Sequence, residues 1–367
     1  MKKLDDKMTL LLKNRYDENY IDILNDAIFS TFSDFDTLSF KKNIFDLSWE
    51  TKELKQRMRH ITTTLYDFLP KEFEKSSKIL QNAYTKIDQN RSLENTIFQD
   101  FIGVYGLNHF EISMKALAHF TINSTSEFAI RQFLIKYPTQ TISQMKLWAT
   151  NPHEHIRRLA SEGCRPRLPW GVALQRYKKD PTNILEILET LKDDESLYVR
   201  NSVANNLNDI SKDNPQILKQ LARKWLGIND KRDWIIKHGS RTLLKNADQD
   251  IMKLFGFEIN DTLEIENFIL SQKVTMGEKL DFSFTLKSPK NLGKLRIEYA
   301  LDFVRLNNKS SKKVFKIAEA NYTQKSKDIT KHYSFKPIST RKYYSGIHKI
   351  SIIVNGVVLK TQEFTLV

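Results

Sequence analysis

Residues 157–170 hold Arg157, Arg158, Glu162, Arg165, Arg167 and Trp170, with Gly163, Pro166 and Pro169 between them. A helix carrying two arginines and a carboxylate runs here into a glycine exit, and a loop stiffened by two prolines then presents Arg165, Arg167 and Trp170. Such a loop places guanidinium groups on phosphates and an indole beside an unstacked base or sugar. The plainer reading packs Trp170 between repeats and leaves the arginines in solvent or paired with acids, the commoner fate of an isolated tryptophan in a helical protein. The crowding of bases, prolines and an aromatic into a few residues favours the binding role.

Cofactor chemistry finds no matching motif. There is no GxGxxG after a strand, no Gly-Lys-Ser/Thr phosphate loop and no HExxH. His153, Glu154 and His155 invite a metal, but side chains at i and i+2 diverge on a helix. The zinc-deaminase pattern needs paired cysteines, and Cys164 is the only cysteine in the chain. It can form no intramolecular disulfide, which fits a reducing compartment, and with no positioned base it reads as a small buried filler. Neither a metal nor an organic cofactor is expected.

The elements that must position these groups are helices. Up to about residue 256, apolar residues recur at three- and four-residue spacings, broken at Pro, Gly or Asn-Asp pairs. Three segments look alike, with aliphatic-basic pairs at Ile156-Arg157, Val199-Arg200 and Ile236-Lys237, 43 and 37 residues apart. These intervals bracket the roughly 40-residue period of HEAT-type repeats. Ile130-Arg131 is an earlier copy, joined by a short helix over 141–150. The proline loop lengthens one repeat, and inserted loops on a solenoid commonly belong to its binding face.

After Phe257 the pattern changes to alternating strands, the last pair meeting across Asn355-Gly356, a favoured tight-hairpin sequence. The expected architecture is therefore multidomain: an all-α HEAT-like helical repeat solenoid over residues 1–257, then an all-β immunoglobulin-like sandwich of about seven strands over 258–367. Two cores suit a chain of 367 residues with 40% hydrophobic content.

A formal charge of +14 favours an anionic partner, nucleic acid ahead of an acidic membrane surface. Residues 259–367 hold 19 Lys and Arg against 10 Asp and Glu, so the smaller domain carries most of the excess. Acids and Lys13 interrupt the apolar run at residues 10–12 before it could form a signal-peptide core. No apolar stretch reaches the roughly 18 residues of a membrane helix. A soluble cytoplasmic, nucleoid-associated monomer is expected, without membrane contact.

Several stretches resemble the AlkC family of DNA glycosylases, related to the AlkD group: residues 125–131 (TSEFAIR), 151–163 (NPHEHIRRLASEG), 165–170 (RPRLPW) and 198–212 (YVRNSVANNLNDISK). They cover the middle third of the chain, and the order of helical repeats and Ig-like domain extends the likeness. Cys164 departs from the family pattern, where a small hydroxyl residue is expected. The resemblance implies a monofunctional glycosylase that excises 3-methyladenine and 3-methylcytosine from double-stranded DNA by simple hydrolysis. It makes Glu127 and Glu162 the active-site carboxylates and sets Trp170 beside the lesion. Alkylation leaves the base cationic and a good leaving group, so stabilising an oxocarbenium-like sugar and positioning water are the main tasks. Asp209 is a third candidate carboxylate, though it can equally close its helix or cap the next.

Alternatives stand beside each of these. Glu127 and Glu162 can be surface carboxylates paired with Arg131 or Arg158. Arg157, Arg200 and Lys237 serve either inter-repeat pairing or DNA phosphates. Asn201, Asn205 and Asn208 recur on one helical face as a polar strip suited to a phosphodiester track, which His238 and Arg241 extend into the next repeat. Arg165 and Arg167 are DNA-binding candidates from the loop. The competing functions are a non-catalytic HEAT scaffold for nucleic acid or protein, with Glu127 and Glu162 far apart or fully paired with arginines, and an enzyme acting on RNA or nucleotides. Base flipping and attack on an exposed sugar are both compatible with the sequence. The basic sandwich is expected to grip the duplex as a clamp.

Overall fold

The computed structural model describes residues 11–306, 309–338 and 341–367; the start of the chain read above for a signal peptide lies outside them. Sixteen α-helices occupy the described chain up to Leu254, and eight strands follow from Glu264. Local sequence explains many of the helix starts. Asp17, Asp36 and Asp248 each accept a backbone N–H of the following turn, from Tyr20, Ser39 and Ile251, satisfying donors that a helix leaves orphaned. Pro138 begins the helix Pro138–Trp148, where its missing N–H matters least. That helix therefore starts three residues ahead of the expected position.

The three alike segments are spatial neighbours. Helix Leu197–Asp213 packs against both Glu154–Gly163 and Asp230–Gly239, as stacked repeats require. Their recurring base has a mechanical job. Arg157 Nη1 donates to the Asn151 and Pro152 carbonyls at 3.0 and 2.8 Å. Arg200 Nη1 donates to the Asp194 and Glu195 carbonyls at 2.7 and 2.9 Å. Each arginine thus fastens the turn ahead of its own helix. Arg157 also holds Asp194 of the next repeat in a two-point pair at 2.6 and 3.0 Å. Gly163 is needed where helices meet: a Cβ there would lie 2.6 Å from Ile130 Cγ2.

The chain forms two compact units. One runs to Asn214 and takes in Trp225–Gly239; the other comprises Pro215–Lys224 and Ser240–Val367. The change from helix to strand and the boundary between units therefore do not coincide, because three late helices belong with the sandwich.

The strands are β1 (Glu264–Leu270), β2 (Lys273–Val274), β3 (Lys279–Lys287), β4 (Gly293–Val304), β5 (Ser310–Tyr322), β6 (Ser326–Ser334), β7 (Gly346–Val354) and β8 (Val357–Leu366). They form a three-stranded sheet, β1-β3-β6, and a five-stranded sheet, β2-β8-β7-β4-β5. Leu280, Phe282, Phe284 and Leu286 alternate into the core against Leu301, Phe303, Ile350 and Ile352, the period-two pattern of packed sheets. The β7–β8 hairpin turns at Asn355 and Gly356, both at positive φ (47° and 83°), the geometry that Asn-Gly tolerates best. β2, a two-residue strand parallel to the end of β8, brings the count above the seven expected.

Candidate active site

A cleft of about 1120 Å³ opens in the first unit. One wall comes from the segment around Glu127, helix Glu154–Gly163, the proline loop and Tyr198; the facing wall comes from helices Leu54–Phe68 and Thr96–Tyr105. Ser124 and Ser126 anchor the Glu127 segment by donating to the Ser92 and Leu117 carbonyls at 2.8 and 2.7 Å. Arg158 and Glu162, one helical turn apart, both line the cleft.

Carboxylates and guanidiniums alternate here in an unbroken chain. Glu127 Oε2 accepts from Thr125 Oγ1 at 2.6 Å and pairs closely with Arg158 Nη1. Arg158 Nη2 lies 3.5 Å from Glu162 Oε1, which also accepts from Arg165 Nη1 at 2.6 Å. Arg165 Nε then donates to Asp209 Oδ2 at 2.9 Å, and Lys212 Nζ donates to Asp209 Oδ1 at 3.0 Å. Burial works against the Arg165 charge, but Glu162 and Asp209 outweigh it and hold its pKa above the ordinary arginine value. The Arg158 guanidinium also sits over the Tyr198 ring, 5.0 Å from its centre.

The chain is one-sided. Glu127 Oε1 and Glu162 Oε2 have no partner among the described residues, and both residues line the cleft. The helical stacking on which their approach depended therefore does bring them together. Each is also an arginine partner, and Arg131, the other candidate partner, bonds to neither.

Arg131 instead clips the proline loop. It is fully buried, donates from Nη1 to the Gly163 and Arg165 carbonyls at 2.9 and 2.8 Å, and from Nε to the Val172 carbonyl at 2.6 Å. Both ends of the loop are tied to one side chain, and burial brings that guanidinium down to about 10. Trp170 is 67% exposed at the cleft with φ +62°, so it does not pack between repeats. A left-handed backbone costs a non-glycine residue about 1–2 kcal/mol. The Trp170 carbonyl accepts from Lys55 of the facing wall. Gly171 suits a tight place, since a Cβ there would stand 3.0 Å from Leu168 Cδ2 and the leucine would have to shift.

Other candidates fall elsewhere. Asp209 is 1% exposed, does not line the cleft and has both oxygens occupied; it joins the site through Arg165. Arg165, 6% exposed and shared by two carboxylates, is a link in the chain and not a surface base for phosphates. Arg157 takes the inter-repeat role through Asp194, and Arg200 holds the turn ahead of its own helix. Arg167 pairs with Asp213 at 2.8 and 2.6 Å and stays partly exposed. The amide strip fades along its helix: Asn201 is exposed, Asn205 half-buried and Asn208 buried. Lys237 is half-buried, and the exposed His238 stacks on Trp234 with ring centres 4.1 Å apart. Arg241 is exposed and belongs to the second unit.

Sequence reasoning named Arg158 as a partner for either carboxylate, and the structure shows it shared by both; it missed Arg131 as the clip and the whole facing wall with Lys55, Met58 and Arg59. The four-residue spacing of Arg158 and Glu162 was a readable signal; the wall carries no motif. His153 caps its own helix by accepting from His155 N–H at 3.2 Å. Cys164 is fully buried beside Asn206, and burial pushes its thiol up to about 12. Among the described residues no helix is long and apolar enough to cross a membrane.

Comparison with known proteins adds to this geometry. The family model described as "DNA alkylation repair enzyme" matches residues 116–247, which include Glu127, Glu162, Trp170 and Asp209. A model for the C-terminal Ig-like domain of YhaZ matches residues 264–367. The chain is 44% identical to the uncharacterized protein YhaZ of Bacillus subtilis over 96% of its own length and 98% of the relative's. It is similar in structure to the Pseudomonas fluorescens alkylpurine DNA glycosylase AlkC, solved bound to DNA containing an abasic site analog. The TM-score is 0.92 and the identity 32%, over 97% of this chain and 99% of the other.

Proposed function

The chain belongs to the AlkC-type family of HEAT-like DNA alkylation repair glycosylases, and on that premise we propose that it hydrolyses the N-glycosidic bond of cationic alkylated bases, 3-methyladenine and 3-methylcytosine, in duplex DNA. The observation that carries this reading is the one-sided chain in the cleft, where Glu127 and Glu162 each keep one oxygen unpartnered.

An alkylated base is already positive and leaves without full protonation. Positive charge then develops on the sugar, and two preorganised carboxylates facing it stabilise it. Arg158 and Arg165 fix the second oxygen of each carboxylate, so neither swings away or reorganises as the bond breaks. One of the two carboxylates also orients the attacking water. Asp209 and Lys212 act at one remove by holding Arg165. Trp170, on its clipped loop, lies beside the lesion, and the shallow site suits attack on an exposed sugar. No metal or organic cofactor enters this chemistry. The protein works as a cytoplasmic, nucleoid-associated monomer, with the sandwich gripping the duplex.

The arginine pairing of both carboxylates also favours a second reading, a non-catalytic scaffold that binds nucleic acid. The test is incubation of purified protein with alkylated duplex DNA, without added metal, and quantification of freed bases. Release of 3-methyladenine and 3-methylcytosine is expected; tight binding with no base freed would make the scaffold the correct reading.

A further inference from the structure

One of the recurring repeat bases departs from the job of the others. Arg157 and Arg200 each turn back to carbonyls five and six residues earlier and fasten the turn ahead of their own helices. Arg131, the base of the pair Ile130-Arg131, makes no such bond. Its three hydrogen bonds all run forward in the chain, to the carbonyls of Gly163, Arg165 and Val172. The turn it leaves is held instead by the Ser124 and Ser126 hydroxyls. Arg131 is fully buried, and its Nη2 has no partner among the described residues.

We infer that Arg131 is a positioning residue for base excision, which fixes Glu162 and Trp170 relative to each other through the backbone of the proline loop. This role rests on the glycosylase reading and adds to it a residue that never touches the substrate. The three carbonyls bracket the groups at issue. Gly163 directly follows Glu162, and Arg165 carries the guanidinium that holds Glu162 Oε1 at 2.6 Å. Val172 lies two residues beyond Trp170. A guanidinium keeps its Nε and Nη1 donors in one plane at a fixed separation, so both ends of the loop hang on one rigid fork. Trp170 has a left-handed backbone, which persists where the surrounding structure imposes it. Capping does not account for the pattern, since an end cap for the helix Glu154–Gly163 needs no bond to Val172. Nor does the repeat, since Arg157 and Arg200 serve theirs without reaching a loop.

The experiment compares Arg131→Lys and Gly171→Ala with wild type in single-turnover release of 3-methyladenine from alkylated duplex, with duplex affinity and amide hydrogen exchange measured on the same preparations. Lysine keeps the charge but carries its donors on one nitrogen, so it cannot span the loop as the fork does. Alanine keeps Arg131 and crowds it, with a Cβ 3.3 Å from Arg131 Cδ and Nε. Thermal melting checks that both variants fold. Arg131→Lys should lower the rate constant about tenfold or more at full amplitude, because small misplacements of reacting groups cost heavily in rate. Gly171→Ala should lower it severalfold, and duplex affinity should be unchanged in both. The Gly171 and Leu174 amides donate within the loop to the Leu168 and Pro166 carbonyls at 3.1 Å. They should exchange faster in Arg131→Lys while the helices around them exchange as in wild type. A wild-type rate constant with reduced amplitude, or faster exchange throughout the unit, would make Arg131 merely structural and overturn the inference. A fall in duplex affinity that matches the fall in rate would do the same. If wild type itself frees no base, the glycosylase reading fails, and exchange at those two amides still decides whether Arg131 holds the loop.

Discussion

The cleft and the β5–β6 edge are both rich in cations, but they dispose of them in opposite ways. In the cleft, Arg158 lies between Glu127 and Glu162, and Arg165 between Glu162 and Asp209. At the edge strands β5 and β6 and their flanks, residues 309–336, eight exposed lysines stand without carboxylates among the described residues. Interlocked charges are stiff, hold their partners in one geometry and are screened little by salt. Unpaired surface charges hold no geometry but attract any polyanion, with strong dependence on salt. Net charge locates the edge; it says nothing about the cleft, where the reaction geometry lies in near-neutral clusters.

The comparison can be broken most severely at Arg158. Arg158→Met leaves Glu127 and Glu162 without their shared cation, and breaking a buried pair costs about 3 kcal/mol or more. Denaturant unfolding should show that loss, and single-turnover base release should fall about a hundredfold. Undamaged-duplex affinity and its salt slope should hardly change, because the cation removed was already neutralised. A large fall in the slope would mean that Arg158 serves phosphate as an unpaired surface cation does.

Trp170→Gly separates position from stability. Glycine accepts the positive φ at no steric cost, so the melting temperature should hold or rise, by up to about 1 kcal/mol in stability. Base release should fall about tenfold with the loss of the indole's contacts. Stability and activity that fall together would place Trp170 in the packing, against its exposure.

The smallest effect sharpens the contrast from the mechanical side. Arg232, then Asn229, hold the Asp193 carboxyl down to about 2, against an ordinary 3.8. A group depressed in the folded state contributes stability that is complete above its unfolded pKa and is lost as pH falls through its folded pKa. Asp193 therefore stabilises above about pH 4, and that contribution fades between pH 4 and 2. The pair is partly exposed, so solvent screening keeps this contribution small. Asp193→Asn should lower thermal stability slightly at pH 6 and match wild type at pH 2; an equal gap at both would remove the ion pair from the account.

Much of this fold was legible because its signals are local. The 43- and 37-residue intervals between recurring bases predicted neighbouring repeats, and Asn355-Gly356 predicted the hairpin. The late helices that join the sandwich unit were not legible. Nor was the burial of Arg296 and Glu298 of β4, partners at 2.6 Å, where the sequence reads as an ordinary alternating strand. The Asn201–Asn205–Asn208 strip was read correctly by helical angle and incorrectly by depth. The end of that helix, residues 206–211, is buried on all sides, a property of tertiary cover that periodicity does not carry.

The site divides similarly. Glu127, Glu162 and Trp170 came from motif-bearing stretches and all line the cleft. Lys55, Met58 and Arg59 come from a motif-free helix, and only its stacking brings them opposite. Arg165 looked like a surface base because its carboxylate partners lie 3 and 44 residues away, and no local rule predicts the second.

The most direct test of the central claim is single-turnover release of 3-methyladenine from alkylated duplex by Glu162→Gln beside wild type, with duplex affinity measured on the same preparations. Glutamine keeps the shape and removes the charge, so release should fall about a hundredfold or more with affinity nearly unchanged. Release at the wild-type rate would contradict the assignment of Glu162 to the reaction.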